Sequence, residues 1–187
     1  SRYFVSRGFV VFVPTRVGYG ETGGPDVEYS GQYNRKDYKA VYAAAADQTE
    51  AVLQQASTLP YVDLTQGIVV GQSFGGTTAI TLATRNLSGL RGTVNFAGGG
   101  GGNPVTQSAN PCSESALATL FSEYGVSAKV PTLWFYSEND KFWGNELPKR
   151  WFDGFVNNGG KGQFVQLPPY KDNGHSIFSG DPAAWKP

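Results

Sequence analysis

The sequence predicts an α/β protein whose mostly parallel sheet carries helices on both faces. Short runs of continuous apolar residues, rich in β-branched and aromatic side chains, recur along the chain, as in strands buried on both faces. Segments with a helical spacing of apolar residues lie between these runs. This alternation is typical of strand–helix–strand units with right-handed crossovers. The 187 residues fit a single domain, residues 1–187, large enough to bury a substantial core.

In the first half of the chain, the first predicted strand is GFVVFVP at residues 8–14. A helix is predicted over residues 37–57, because apolar side chains recur there every three or four positions. The run GIVVG at residues 67–71 predicts the second strand, and the small residues at 75–86 predict the helix that follows it. Since ligands bind at the carboxyl ends of parallel strands, the loops after these runs are the places to look for a site.

The second half of the chain repeats the alternation. Asn110 followed by a proline predicts a helix from there to about Tyr124, and another helix is predicted over residues 146–157. Five consecutive glycines at residues 98–102 predict a mobile loop. The three strands predicted in this half are LRGTVNFAG, VPTLWFYS and GQFVQLP, at residues 90–98, 130–137 and 162–168.

The composition argues against several classes of function. Fifteen basic and fifteen acidic residues cancel, so no net field favours nucleic acid or an anionic membrane as partner. No apolar run approaches the roughly 20 residues that cross a bilayer. Cys112 is the only cysteine and His175 the only histidine, so neither an internal disulfide nor an ordinary zinc site is expected. We therefore expect no metal and no cofactor, and the cellular compartment stays open.

The pentapeptide GQSFG places Ser73 directly after a predicted strand and directly before a predicted helix. This is the context of a nucleophile elbow, in which the serine adopts a strained backbone conformation and its neighbours must be small. Gly71, Gly75 and Gly76 supply the small residues. The alternative is a glycine-lined turn in which Ser73 only caps the helix. The context favours a nucleophile.

A serine nucleophile needs a base, and the base needs an orienting carboxylate. His175 follows the last predicted strand, while Glu138 and Asp140 follow the strand before it. We favour Asp140, because it lies further past the strand end, where the loop has room to bend towards His175. Asp172 is too close in sequence to His175 to support the imidazole from behind. The chain order of serine, acid and histidine is that of the α/β-hydrolase fold.

Other residues near these loops are candidates for the oxyanion hole and the substrate pocket. The backbone N–H of Phe74, the residue after the nucleophile, is the predicted oxyanion donor, at the positive end of the following helix. Tyr19, Phe142 and Trp143 are predicted to bind substrate, because they lie on or beside loops at the carboxyl edge. The alternative for these aromatic residues is packing in the core or at its rim.

Four segments together resemble α/β-hydrolases of the dienelactone hydrolase group: RYFVSRGFVVFVPTRVGYGETGG, GQSFGG, PTLWFYSENDKFWG and LPPYKDNGHSIF. The resemblance covers nearly the whole chain. It implies the α/β-hydrolase fold, with nucleophile, acid and base at Ser73, Asp140 and His175. Dienelactone hydrolases proper use a cysteine nucleophile, so the serine here is more similar to that of the serine carboxylesterase relatives.

The resemblance also implies that the sequence lacks the N-terminal strands of this fold. It begins within the helix that precedes the fourth strand of the family, and it stops where a final helix is expected. On this interpretation the chain is a fragment truncated at both ends, and the second oxyanion donor lies outside it. The alternative is strand exchange between copies in a homo-oligomer.

The predicted function is that of a serine hydrolase that cleaves a carboxylic ester, or a related thioester or lactone, through an acyl-enzyme. Its predicted partner is a small-molecule ester substrate. Two alternatives stay open. A serine peptidase on the same fold would usually carry a further domain that gates peptide access. A non-catalytic binding protein with this scaffold would be expected to have lost a member of the triad, and all three candidates are present here.

Overall fold

The computed structural model describes residues 2–186, which form an α/β fold around a four-stranded parallel sheet. Neighbouring strands in the chain are also neighbours in the sheet, and each pair is parallel. All four strands therefore end at the same edge, which we call the carboxyl edge. The strands are β1 (Gly67–Gln72), β2 (Leu90–Phe96), β3 (Thr132–Ser137) and β4 (Gly162–Leu167).

Helices connect the strands and confirm the predicted alternation. The longest begins at an N-cap, Asp37, whose carboxylate accepts a hydrogen bond from the backbone N–H of Ala40 at 3.0 Å. Short 3₁₀ turns lie at Gly20–Thr22, Leu64–Gln66, Gly174–Ser176 and Pro182–Ala184. The helices are α1 (Arg2–Val5), α2 (Tyr38–Ala56), α3 (Phe74–Ala83), α4 (Glu114–Ser127) and α5 (Glu146–Asn157).

The side chains of the sheet alternate between two apolar clusters, one on each face. In β3, Trp134 and Tyr136 point towards α2 to α5, where fourteen buried residues form the larger cluster. Phe135 points to the opposite face, where α1 and residues 177–185 contribute to a smaller cluster. This period-two pattern explains why the strand is apolar at almost every position. Within residues 2–186, no helix is long and apolar enough to cross a membrane.

The prediction of a strand at residues 8–14 is wrong. We call residues 9–13 the apolar segment; it has no regular secondary structure, and Val13 is 78% exposed. Within the described residues, β1 is hydrogen-bonded to β2 alone, and the apolar segment does not pair with its other side. A strand exists only where another strand accepts and donates its backbone hydrogen bonds. An apolar, β-branched sequence is therefore insufficient here.

The fourth helix begins later than predicted. It starts at Glu114, preceded by Ser113 in the left-handed region with φ 50°, and not at Asn110. The residues before it bind elsewhere: the N–H of Cys112 donates to the carbonyl of Gly101 at 2.9 Å, and the Cys112 carbonyl accepts from the Tyr38 hydroxyl. These tertiary hydrogen bonds hold the predicted first turn out of the helix.

Candidate active site

Ser73 lies at the sharp turn between β1 and α3, at the carboxyl edge of the sheet. Its φ of 55° and ψ of −122° are unfavourable for a residue with a Cβ atom. Strain of this kind costs about 1–3 kcal/mol and persists where the surrounding structure enforces it. The hydroxyl of Ser73 makes no capping hydrogen bond to α3. The turn therefore has the backbone geometry of a nucleophile elbow, and the helix-capping alternative finds no support.

Close packing explains the glycines of this motif. A Cβ atom on Gly71 would lie 1.9 Å from the carbonyl oxygen of Gly75, and one on Gly76 would lie 2.4 Å from Oδ1 of Asn95. Both contacts are far too short, so strand and helix could not approach as they do. A Cβ atom on Gly75, by contrast, would meet nothing within 4 Å. The turn thus requires the first glycine of the motif and the one after its end.

The structure brings the carboxylate of Asp140 into contact with the imidazole of His175. Nδ1 of His175 lies 3.0 Å from Oδ2 of Asp140, and the Asp140 side chain is completely buried. The other oxygen, Oδ1, accepts hydrogen bonds from the backbone N–H groups of Phe142 at 2.8 Å and Trp143 at 3.2 Å. Two fixed donors thus hold the carboxylate in place behind the imidazole. The other two carboxylates, Glu138 and Asp172, are exposed.

Two asparagines that the sequence analysis did not single out join the loop of Asp140 to the loop of His175. Asn173 Oδ1 accepts from the backbone N–H of His175 at 3.1 Å and from that of Lys141 at 3.0 Å. Asn139 accepts from the backbone N–H of Tyr170 at 2.9 Å and donates to the carbonyl of Lys171 at 2.8 Å. Asn139 lies one residue before the acid and Asn173 two residues before the histidine. These positions could have indicated the role of both residues from the sequence, because asparagine side chains readily form hydrogen bonds with nearby backbone groups.

Gln72, the residue before the serine, links the nucleophile strand to the histidine loop. Its Nε2 donates to the backbone carbonyl of His175 at 2.6 Å. Within residues 2–186, the Ser73 hydroxyl and the His175 imidazole form no direct hydrogen bond. Hydrogen bonds between a nucleophile and its base are often long until substrate binds. Gln72 thus keeps the two residues on adjacent, connected loops.

The predicted oxyanion donor, Phe74, is the first residue of α3, where backbone N–H groups lack partners within the helix. Its half-buried ring packs against Tyr42, with centroids 4.7 Å apart, and beneath the Arg16 guanidinium at 4.8 Å. Arg16 also covers the ring of Tyr19 at 4.9 Å and pairs with the buried Glu28 at 2.9 Å. Tyr19, 46% exposed, therefore lies at the outer rim of this group.

Phe142 and Trp143, both predicted to bind substrate, lie in different surroundings. Phe142 is half-buried, and its ring stacks on His175. Trp143 is only 2% exposed, and its indole N–H donates to the carbonyl of Ala97 at 2.7 Å. The structure therefore does not support a substrate contact from Trp143, because the ring is buried beneath the site and its N–H already has an acceptor. This outcome is the core-packing alternative left open above.

Residues 97–102, which we call the glycine loop, are held by aromatic side chains and do not form the mobile loop that the composition predicted. Tyr136 donates to the carbonyl of Gly98 at 2.7 Å, Tyr42 to that of Gly99 at 2.8 Å and Tyr38 to that of Gly100 at 3.1 Å. With Trp143 on Ala97, four successive carbonyls accept from aromatic side chains. The glycines are needed because the rings lie directly against the backbone.

These buried phenols are poor acids. Burial raises the pKa of Tyr42 and of Tyr136 well above the ordinary value, so both hydroxyls keep their protons at neutral pH. A protonated hydroxyl is the form that donates to a carbonyl. The floor of the site consequently contains neutral hydroxyl donors at fixed positions.

The sequence matches the family model described as "Dienelactone hydrolase family" over residues 1–184. The chain belongs to the dienelactone hydrolase family. This dienelactone hydrolase family member has the α/β-hydrolase fold that the sequence predicted. A search among curated proteins gave no match to its sequence.

Solved structures show the same fold at low sequence identity. A protein of Klebsiella pneumoniae subsp. pneumoniae assigned as a dienelactone hydrolase has a TM-score of 0.55 and 15% identity, with 87% of this chain and 67% of that one covered. Dipeptidyl peptidase 4 of Porphyromonas gingivalis has a TM-score of 0.52 and 18% identity, with 75% of this chain and 21% of the peptidase chain covered. Acylaminoacyl peptidase of Pyrococcus horikoshii has a TM-score of 0.51 and 12% identity, with 78% of this chain and 25% of the peptidase chain covered. This family member thus spans about a quarter or less of the two peptidase chains.

Proposed function

We propose that this member of the dienelactone hydrolase family is a serine hydrolase that cleaves carboxylic esters, or related thioesters or lactones. The observation that carries the proposal is the contact of 3.0 Å between Asp140 and His175 at the edge where Ser73 forms a strained elbow. Each of the three groups follows a different strand at the carboxyl edge of the sheet. A buried acid that orients an imidazole, with a serine in a strained elbow at the same edge of the sheet, is the set of groups that acyl transfer needs.

In the proposed reaction, the Ser73 oxygen forms a bond to the ester carbonyl carbon while its proton passes to Nε2 of His175. Asp140 accepts the Nδ1–H of the same ring and so leaves Nε2 free to act as the base. The tetrahedral intermediate collapses as the bond to the alcohol oxygen breaks, and the imidazolium returns the proton to that oxygen. Water then releases the acid by the same two proton transfers.

Phe74 is the proposed donor to the oxygen that becomes negative in the intermediate. Its N–H lies at the start of α3, so the helix dipole favours negative charge at the same place. Removal of one such donor typically costs about 10²–10³-fold in turnover. Tyr19 and the half-buried ring of Phe74 are the proposed apolar contacts for the substrate.

The first experiment is labelling with a fluorophosphonate, followed by mass spectrometric mapping of the adduct. We expect an adduct on Ser73 in the wild type and in Ser57→Ala, the matched control at an exposed serine, and none in Ser73→Ala. Ester turnover should fall by about 10⁶-fold in Ser73→Ala. The absence of an adduct on the folded wild type would overturn the proposal and leave a binding protein on a hydrolase scaffold.

A substrate panel then separates the chemical classes. Nitrophenyl esters, a thioester, a lactone and aminoacyl nitroanilides are compared by kcat/KM under the same conditions. Preference for the nitroanilides would identify a peptidase in place of the proposed esterase. Asp140→Asn should lower kcat by about 10⁴-fold, because the amide favours the wrong imidazole tautomer, whereas Glu138→Gln, at the exposed neighbouring carboxylate, should leave it unchanged.

A further inference from the structure

The ring of Phe142 lies face to face with the imidazole of His175. The two ring centroids are 4.0 Å apart, and the planes are inclined by only 26°. The rings of Trp143 and His175 are in an edge-to-face arrangement, with centroids 5.6 Å apart and planes inclined by 70°. His175 itself is 8% exposed, so these two rings cover much of its apolar surface. One face of the imidazole is therefore occupied by Phe142.

Phe142 also contacts the partner of that imidazole. Its backbone N–H donates to Oδ1 of Asp140, while Oδ2 of the same carboxylate accepts from His175. The residue before it is fixed as well, since the N–H of Lys141 donates to Asn173, two residues from the histidine. One residue thus holds the carboxylate with its backbone and the imidazole with its ring.

We propose that Phe142 is a positioning residue for His175, and that it does not bind substrate as the sequence predicted. The inference rests on the proposed function, because it concerns the base of that reaction. Its ring restricts the imidazole to the plane in which Nδ1 meets Asp140. Its π face also stabilises the positive charge that develops on the imidazolium in the transition state. Both effects act on kcat and leave the binding of substrate unchanged.

The kinetic test compares three variants on a soluble nitrophenyl ester. Phe142→Leu keeps apolar bulk and removes the π face; kcat should fall by about 2- to 30-fold, the range that cation–π energies of 0.5–2 kcal/mol correspond to. KM should stay within about twofold, because uniform substrate binding is untouched. Phe142→Tyr keeps the π face and should lose less than about threefold. Phe152→Leu, at a half-buried phenylalanine that packs on Trp134 and Phe164, is the matched control and should not change kcat.

A spectroscopic test does not depend on activity. His175 is the only histidine, so its imidazole C–H resonances can be assigned without ambiguity. A ring stacked on its face shifts these resonances upfield relative to the urea-unfolded chain. We expect this shift in the wild type, in Phe142→Tyr and in Phe152→Leu, and its loss in Phe142→Leu. The thermal midpoint of each variant shows that it is folded.

The outcomes separate this inference from the proposed function. A higher KM at unchanged kcat in Phe142→Leu would overturn the inference and identify Phe142 as a substrate contact. Unchanged kcat in Phe142→Leu, together with wild-type imidazole resonances that show no upfield shift, would also overturn the inference. The hydrolase proposal would stay intact. If the wild type shows neither turnover nor an adduct on Ser73, the proposed function fails. In that case the wild-type resonances decide whether Phe142 stacks on His175: an upfield shift supports the contact, and its absence overturns it.

Discussion

The glycine loop and the apolar segment each contradict their own composition. Residues 97–102 are mostly glycine, yet four successive carbonyls are held by aromatic donors. Residues 9–13 are apolar and β-branched, yet they form no strand and expose large side chains. Order in each region follows from whether other elements contact its backbone. Local propensity is a weaker term, as expected from its small energy per residue.

The same difference bears on the candidate site. The glycine loop fixes Trp143 beneath His175, so the site rests on a rigid floor. The apolar segment lies before the loop that carries Arg16 and Tyr19, the outer rim of the site. We therefore expect the catalytic side of the pocket to be well defined and its rim to be less stable. Four pairs of substitutions test this contrast.

The largest expected effect is that of removing an aromatic ring from each region. Trp143→Ala should lower the free energy of unfolding by about 3–5 kcal/mol, the usual cost of emptying a core site of a large ring. Phe12→Ala, at a ring that is 40% exposed, should cost about 1 kcal/mol or less. Chemical denaturation with constant m-values measures both. Equal losses would show that the apolar segment packs as tightly as the floor of the site.

The next effect tests whether the loop glycines are steric requirements. A Cβ atom on Gly99 would lie 2.7 Å from Cε2 of the buried Trp143. Gly99→Ala should therefore cost about 1–3 kcal/mol, as overpacking of cores does. Gly75→Ala is the control, since its added carbon meets nothing within 4 Å and alanine favours the helix. If Gly99→Ala is as stable as the wild type, the loop is not tightly packed, and the mobile loop predicted from the glycine run is the better description.

A smaller effect, with a defined pH dependence, tests one of the aromatic donors. Tyr42→Phe removes the hydrogen bond to the Gly99 carbonyl and should cost about 1 kcal/mol at neutral pH. Burial raises the pKa of Tyr42 above its ordinary value of 10, so above pH 10 the phenol loses its proton in the unfolded chain first. The free energy of unfolding of the wild type then falls with rising pH. Its difference from that of Tyr42→Phe should therefore become smaller.

Urea unfolding at pH 7 and above pH 10 measures that gap. Tyr61→Phe is the control for the loss of a hydroxyl as such, because Tyr61 is 68% exposed. It should change stability by less than about 0.5 kcal/mol. A gap that widens with pH would mean that Tyr42 is ionised in the folded protein and that the hydroxyl is not a fixed donor.

The smallest effect sharpens the contrast from the other side. Val13→Thr, at a side chain 78% exposed, should change the free energy of unfolding by less than about 0.5 kcal/mol. The matched substitution Val41→Thr, at a residue 3% exposed in α2, should cost about 1–3 kcal/mol because it buries a hydroxyl. In the same samples, amide exchange at residues 10–13 should be fast, and slow at Ala97, whose N–H donates to Phe135.

The sequence by itself determined the α/β architecture. The helix at residues 146–157 has the predicted bounds, and β1 ends at the serine motif as expected, because buried strands and amphipathic helices have distinct apolar periods. It also proposed Ser73, Asp140 and His175 as a group, since strand ends of a parallel sheet meet at one edge. The contact of Asp140 with His175 agrees with that proposal; the catalytic roles stay predictions.

Only the tertiary structure decided what surrounds those residues. Asn139, Asn173 and Gln72 join the loops through partners up to 103 residues apart in sequence. Trp143, predicted to contact substrate, packs beneath the site because the glycine loop offers it an acceptor and a flat surface. The apolar segment stays unpaired because no strand among residues 2–186 forms hydrogen bonds with it. Local sequence sets a residue's preferences, whereas the partners for its polar groups come from distant segments that only the fold brings together.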